Sequence, residues 1–197
     1  MWNERFSTKD YVFGTEPAAF LKRAAPLLAP GQSALAVADG EGRNSVWLAE
    51  QGLEVTAFDF APNGLDKGRA LAKARGVTVD FRQSDIFKWD WAGTQYDVVA
   101  AIFIQFMGPG PREQVFQGLK QALKPGGLLL LHGYAPRQVG YGTGGPGVEE
   151  NMYTTDLLRQ AFDGFEILRL DDYDAEIDEG HGHKGLSGLV DLIARKP

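Results

Sequence analysis

Residues 34–44 read ALAVADGEGRN. A short apolar run, Ala34 to Ala38, leads straight into Asp39-Gly40-Glu41-Gly42-Arg43-Asn44 and then into helix-like sequence. That order spells a strand, a tight turn and a helix start. Gly40 and Gly42 lack a Cβ, so they can bend the chain sharply and let a ligand touch the backbone. The helix that follows aims its unpaired N–H groups at whatever sits in the turn. Turns of this kind hold nucleotide-type ligands, but two glycines two apart also make ordinary turns, so the rest of the chain has to decide.

Working outward, strand and helix alternate. Pro17 to Leu28 carries Phe20, Leu21, Ala24 and Leu28 at helical spacing and stops at Pro30-Gly31. The strand 33–38 and the glycine turn follow, then a helix from about Arg43 to Gln51. Glu54 to Phe60 is a second strand, Pro62 to Arg75 a helix and Val77 to Gln83 a third strand. Tyr96 to Phe103 is almost continuously apolar, as a parallel strand buried on both faces must be. Pro111 to Leu123 is a helix stopped by Lys124-Pro125-Gly126-Gly127, and Leu128 to His132 is the next strand. Thr154 to Phe162 is a short capped helix. Phe165 to Asp174 and Leu186 to Ala194 are two last strands, joined by a segment that allows an antiparallel pair. The order predicts an α/β fold, a mainly parallel sheet with helices on both faces, in one domain over residues 1–197. Two segments stand apart. Residues 1–16 form an arm with scattered aromatics, either pinned to the body or closing as a lid with Tyr11 or Trp2 near a ligand. Residues 136–152 are too glycine-rich for a regular element; five of the eight positions 140–147 are glycine. That loop is either a mobile cover or a passive surface segment.

Composition narrows the function. Hydrophobic residues make up 44% and charged residues 23%, ordinary for a folded globular chain. The net charge of −6, without a basic stripe, argues against nucleic acid as a partner. The absence of cysteine excludes disulfides, thiolate metal sites and thiol nucleophiles. No apolar run is long enough to span a bilayer, so a cytoplasmic location, no membrane partner, and a monomer or weak homodimer are expected.

Ligands in open α/β sheets sit at the carboxyl ends of the strands. Asp59 ends the second strand, where a carboxylate accepts from ribose hydroxyls or caps the helix at Pro62. Ser84, Asp85 and Ile86 follow the third strand, as an adenine edge or a surface turn. Ile102, Phe103 and Gln105 follow the fourth, as a site floor with a polar contact or as plain core. A nicotinamide cofactor asks for G-x-G-x-x-G, but Ser45 stands where the third glycine belongs.

GEGRN (40–44), TAFDFAPNGL (56–65), SDI (84–86) and LKPGG (123–127) together resemble the class I S-adenosylmethionine-dependent methyltransferases. The opening WNERFSTKDYVFGTEPAAFL, the YGTGGPG loop and the closing EGHGHKGLSGLVDLIARK resemble a small bacterial group related to tellurite-resistance and thiopurine S-methyltransferases. The resemblance implies a Rossmann-like seven-stranded sheet of order 3-2-1-4-5-7-6 with strand 7 antiparallel. It implies S-adenosyl-L-methionine as cofactor, with Asp39, Gly40, Gly42 and Asn44 around its methionine part. Asp59 would serve the ribose, Asp85 and Ile86 the adenine, and Ile102 the sulfonium; Phe60, Ser84 and Tyr11 are also expected at the cofactor. One departure is clear. An acid commonly sits two residues before the first glycine of the turn, and Ala36 and Ala38 fill those two positions here, so Asp39 would have to meet the cofactor's amino group.

Methyl transfer chiefly needs aligned, desolvated reactants. A soft nucleophile such as a thiol, or a selenium or tellurium oxyanion, needs little proton removal, whereas a hydroxyl or amine needs a general base. His132 and His183, with Gln105, are the catalytic candidates, each with a structural alternative. Arg137 could bind an anionic acceptor or be merely solvated. His181 and His183 without cysteine make too thin a set for a metal site, so none is expected. The expected function is methyl transfer to a small molecule. The alternatives are an NAD-dependent oxidoreductase and a non-catalytic module that only binds S-adenosylmethionine.

Overall fold

The computed structural model describes all of residues 1–197. Seven strands form one sheet: β1 (Ser33–Val37), β2 (Glu54–Asp59), β3 (Val79–Gln83), β4 (Tyr96–Ile102), β5 (Leu123–Tyr134), β6 (Glu166–Asp178) and β7 (Lys184–Arg195). Their order is β3-β2-β1-β4-β5-β7-β6, and only β7 runs antiparallel to its neighbours. Sheet order and the lone antiparallel strand are as the sequence implied.

The central strands are apolar on both faces because each face has its own core. Leu35 and Val37 of β1, Val99 and Ala101 of β4, and Leu129 and Leu131 of β5 belong to one buried cluster. Their alternating neighbours Ala34, Val98, Ala100, Ile102, Leu128 and Leu130 belong to the other. The period of two in the strand sends successive side chains to opposite layers. Each fully buried Leu contributes about 1.5–3 kcal/mol relative to exposure. Helices α3 (Arg43–Glu50), α4 (Pro62–Arg75) and α5 (Pro109–Ala122) cover the sheet; α1 (Trp2–Arg5) and α2 (Ala19–Ala24) precede them, and α6 (Gln138–Tyr141) and α7 (Thr155–Ala161) follow. Thr154 caps α7, its hydroxyl oxygen accepting from the Leu157 N–H at 3.1 Å.

Several boundaries differ from those expected. The helix over 17–28 breaks into α2 and a 3-10 turn, Ala25–Leu27, because Pro26 cannot continue the α-helical bond pattern. Helix α5 starts at Pro109, two residues early, since Gly108 is extended. Lys124 to Gly127 does not end the helix in a loop but joins β5; Gly127 O accepts from Lys196 N at 2.9 Å. The β6–β7 hairpin is longer than expected. Pairing of β7 with β5 ends at Tyr134↔Leu189, while pairing with β6 runs on to Asp178↔Lys184. The hairpin therefore projects beyond the sheet, over the carboxyl ends of the parallel strands.

The glycine-rich segment carries hydrogen bonds of its own and to β7. Gln138 is fully buried, donating to Thr143 Oγ1 (2.9 Å) and Gly144 O (3.2 Å) and accepting from Gly188 N (2.9 Å). Thr143 donates to Leu186 O at 2.6 Å. The bonds to Gly188 and Leu186 join the segment to β7, and the other two lie within it. No helix is long and apolar enough to cross a membrane.

Candidate active site

The registers Val37↔Phe58, Asp59↔Gln83 and Ile102↔His132 bring the carboxyl ends of β1, β2, β3 and β4 to a common edge. A cavity of about 340 Å³ opens there. It lies within the ~300–1,000 Å³ usual for small-ligand sites. Ala36, Asp39, Gly40, Asn44, Asp59, Phe60, Ser84, Asp85, Ile86 and Ile102 all face it.

The turn after β1 is shaped by left-handed backbone. Gly40 and Gly42 have φ of 64° and 88°, and Ala38, with a Cβ, has 48°. A non-glycine residue held in that region carries about 1–3 kcal/mol of strain. Asp39 is bonded into the start of α3: it accepts from Ser45 N at 3.2 Å and from the Ser45 hydroxyl. Burial pushes its carboxyl up to about 7, against the lowering by those bonds. Ser45 is thus an anchor for Asp39, which gives its place in the motif a physical reason. Asp59 accepts from Gly40 N and Ala61 N, each at 2.8 Å. Burial raises its pKa while these N–H groups act to lower it. It ties the turn to β2 and bonds to the chain entering α4 while facing the cavity. Asp85 accepts from Phe87 N at 3.0 Å, and Asn44 Oδ1 accepts from Ala18 N at 3.0 Å.

Three expected contacts fall elsewhere. Gly42 does not face the cavity. A Cβ there would lie 2.6 Å from Gly68 Cα, so this glycine lets α3 and α4 touch. Tyr11 lies on the flank of α4, donating to Lys67 O at 3.0 Å; Trp2, Phe6 and Phe13 are the arm residues that reach the cavity. Gln105 is spent on the backbone of Tyr134, accepting from its N–H and donating to its carbonyl at 2.8 Å, though it borders a second, smaller space. That backbone clamp is a structural role.

The histidines separate. His183 faces the cavity, is 7% exposed, and its Nδ1 has no partner. Burial, then the charges of Arg43, His132 and Arg5, depress its pKa to about 2, so its ring is neutral. His132 does not face the cavity. It stacks on Phe20 (5.0 Å between centroids) behind Phe103, with Nδ1 2.7 Å from Asp191 Oδ1. The strand alternation that buries Leu128 and Leu130 carries it to the α2 side. His181 is exposed. Arg137 is paired with Asp172 and Asp174 at 2.5 and 2.7 Å and is not a free anion site.

Other functional contacts had no local signal in the sequence. Glu41, in the turn, accepts from Val12 N (2.8 Å) and pairs with Lys67 (2.7 Å), which holds the arm. Arg43 pairs with Glu179 of the hairpin at 2.8 Å, both nearly buried. Phe58, stacked on Trp89 at 4.2 Å, completes one wall. The partners in each case lie tens of residues apart, where no periodicity links them. No cluster of three His, Asp or Glu side chains could hold a metal.

Residues 34–127 match the sequence family described as Methyltransferase domain. A demethylmenaquinone methyltransferase of Renibacterium salmoninarum is 32% identical over 130 residues, 66% of this chain and 50% of the relative. The chain spans about half the length of the first curated relatives it matches. Among solved structures, TehB from Haemophilus influenzae aligns over 100% of this chain and 66% of its own, with TM-score 0.74 and 17% identity. A protein solved in a study of the conversion of a disulfide bond into a thioacetal group during echinomycin biosynthesis aligns over 95% and 85%, with TM-score 0.76 and 18% identity. At such identities the structural likeness is one of fold. Sheet order and family match agree: residues 34–127 match a methyltransferase domain, and they lie in a seven-stranded sheet of the order that the motifs implied.

Proposed function

We propose that this chain transfers a methyl group from S-adenosylmethionine to a small-molecule acceptor that is a soft nucleophile. The carrying observation is the cavity's polarity. Asp39, Asp59 and Asp85 line its strand-end side, and each keeps carboxylate lone pairs beyond its backbone bonds. These suit the ammonium, the ribose hydroxyls and the adenine amine of such a cofactor, which supplies a methyl on a cationic sulfur. Trp2, Phe6, Phe13 and Phe103 on the other side exclude water, which favours alignment and desolvation of the reactants. The soft acceptor follows from what is missing. His183 is neutral with a strongly depressed pKa and is a poor base, and Asp39, which burial raises to about 7, has both oxygens bonded to Ser45 on the strand-end side.

An NAD-dependent role fits less well. A pyrophosphate at the start of α3 would meet the Asp39 carboxylate, which already takes the Ser45 N–H that it needs. Thermal unfolding with a ligand panel tests the proposal. A ligand at a hundredfold excess over its Kd stabilises by about 2.7 kcal/mol, or several degrees at about 2–4 °C per kcal/mol. S-adenosylmethionine and S-adenosylhomocysteine should raise the midpoint, and NAD and NADP should not. A shift with NAD alone would reverse the assignment. Binding without S-adenosylhomocysteine formation from any thiol or selenium acceptor would make the chain a binding module.

A further inference from the structure

Beside the first cavity lies a second of about 230 Å³, bordered by the arm, the segment after β4, the glycine-rich loop and the hairpin turn. The two share Trp2, Phe13, Phe103, Phe106 and His183, so they are neighbouring lobes that meet at these side chains. Their chemistry is opposite. The first lobe carries three carboxylates and the second carries none.

The second lobe instead holds unused donors. Arg5 borders it and makes no ion pair or side-chain hydrogen bond; its guanidinium lies 5.0 Å from the Trp2 ring and 5.3 Å from the Phe13 ring. Tyr134 is 1% exposed and its hydroxyl has no partner, and His183 Nδ1 is also unpartnered. A buried hydroxyl left without a partner costs about 1–3 kcal/mol. Such groups, converging on a cavity beside a lone cation, are the marks of a ligand's polar end. The loop is moulded to this arrangement: a Cβ on Gly144 would meet the Tyr134 hydroxyl at 2.9 Å, and one on Gly145 its ring at 3.0 Å.

We infer that the second lobe is the acceptor subsite and that it takes a small organic monoanion with an apolar body, its charged end held by Arg5 and the Tyr134 hydroxyl. This rests on the methyltransferase assignment and names its acceptor class. Aromatic walls and one guanidinium suit an anion that is mostly apolar. They do not suit a strongly hydrated inorganic oxyanion, which would lose its water shell and gain one cation. The titratable and charged groups around the lobe are Arg5 of the arm, Arg43 with its partner Glu179, Tyr134 and His132 of β5 with Asp191 of β7, and His183. Tyr134 is pushed well above its usual range and stays a donor, and His183 stays neutral. The acceptor therefore arrives already ionised. Its lone pair forms the new bond to the methyl carbon, the sulfur keeps the electrons of the bond that breaks, and the anion and sulfonium charges cancel with no proton moved.

The test uses the full chain saturated with S-adenosylhomocysteine and three probes in calorimetry: benzoate, its neutral isostere benzamide, and selenite. Benzoate should bind at least tenfold tighter than benzamide, and selenite more weakly than benzoate. Arg5→Met, which keeps an unbranched side chain at an exposed position, should weaken benzoate at least fivefold, and Tyr134→Phe should weaken it several-fold. Neither variant should change the affinity for S-adenosylhomocysteine. Benzoate no tighter than benzamide, selenite tighter than benzoate, or indifference to Arg5→Met overturns the inference. Failure of S-adenosylhomocysteine itself to bind would instead remove the methyltransferase assignment, so the two failures are distinct.

Discussion

The floor of the first lobe and the walls of the second are built in unlike ways. The floor is made where neighbouring strands end, from Ala36 to Ile102, and its acids are fixed by backbone N–H groups of the same edge. The walls come from the arm, the segment after β4, the glycine-rich loop and the hairpin turn. Those pieces are joined by side-chain ties across the chain: Val12 N to Glu41, Lys67 to Glu41, and Glu179 to Arg43. The floor's geometry follows from sheet register and tolerates little change. The walls can vary while the sheet stands, which is how one fold keeps a cofactor site and changes its acceptor.

The sharpest way to break this contrast is at the floor. Gly42→Ala would place a Cβ 2.6 Å from Gly68 Cα, at a residue with φ of 88°. Overpacking and left-handed backbone together should cost about 2–5 kcal/mol. Urea unfolding measures it, and a wild-type midpoint would mean that α3 and α4 are not locked together. Asp59→Ala should come next. It removes the acceptor for Gly40 N and Ala61 N as well as the proposed ribose contact. Stability should fall by about 1–3 kcal/mol, and calorimetry should show S-adenosylhomocysteine binding weakened more than tenfold. Intact affinity would take Asp59 out of the site.

A smaller effect comes from Asp39. Its pKa is raised by burial to about 7, from an ordinary value of 3.8. A raised folded pKa means that folding takes up a proton between those values. Its contribution is full below about pH 4 and is lost as pH rises toward 7. Stability of Asp39→Asn relative to the wild type should therefore improve from pH 4 to 7 and level off above, in unfolding curves taken across that range. If Asp39 meets the cofactor's ammonium, affinity for S-adenosylhomocysteine should rise over the same interval and flatten in the variant. The smallest effect belongs to Arg137→Ala. Its two exposed ion pairs are worth under about 1 kcal/mol, and the acceptor KM should not move. A raised KM would extend the second lobe toward α6.

The parallel half of the sheet was legible because its signals are local. Apolar runs at 34–38 and 96–103, the glycine turn at 40–42 and the prolines that open α4 and α5 each report on a few neighbouring residues. Strand ends then mark the ligand edge whatever the ligand is, which is why Asp59 and Ser84 to Ile86 could be picked out by position alone. Position did not say where side chains point. His132 turns toward Phe20, Gln105 closes on the Tyr134 backbone, Tyr11 passes along α4, and Gly42 meets Gly68, because packing with distant segments decides each.

The sequence by itself determined the sheet, its order through the family pattern, and the acid-lined edge, since these depend on strand alternation and on residues within one turn of each other. Only the tertiary structure decided the second lobe. Arg5, Phe103, Tyr134 and His183 lie as much as 178 positions apart (183 − 5) and meet because the long hairpin overhangs the sheet and Glu41 draws the arm across it. No periodicity encodes that meeting; it exists once the core has fixed where the strands end.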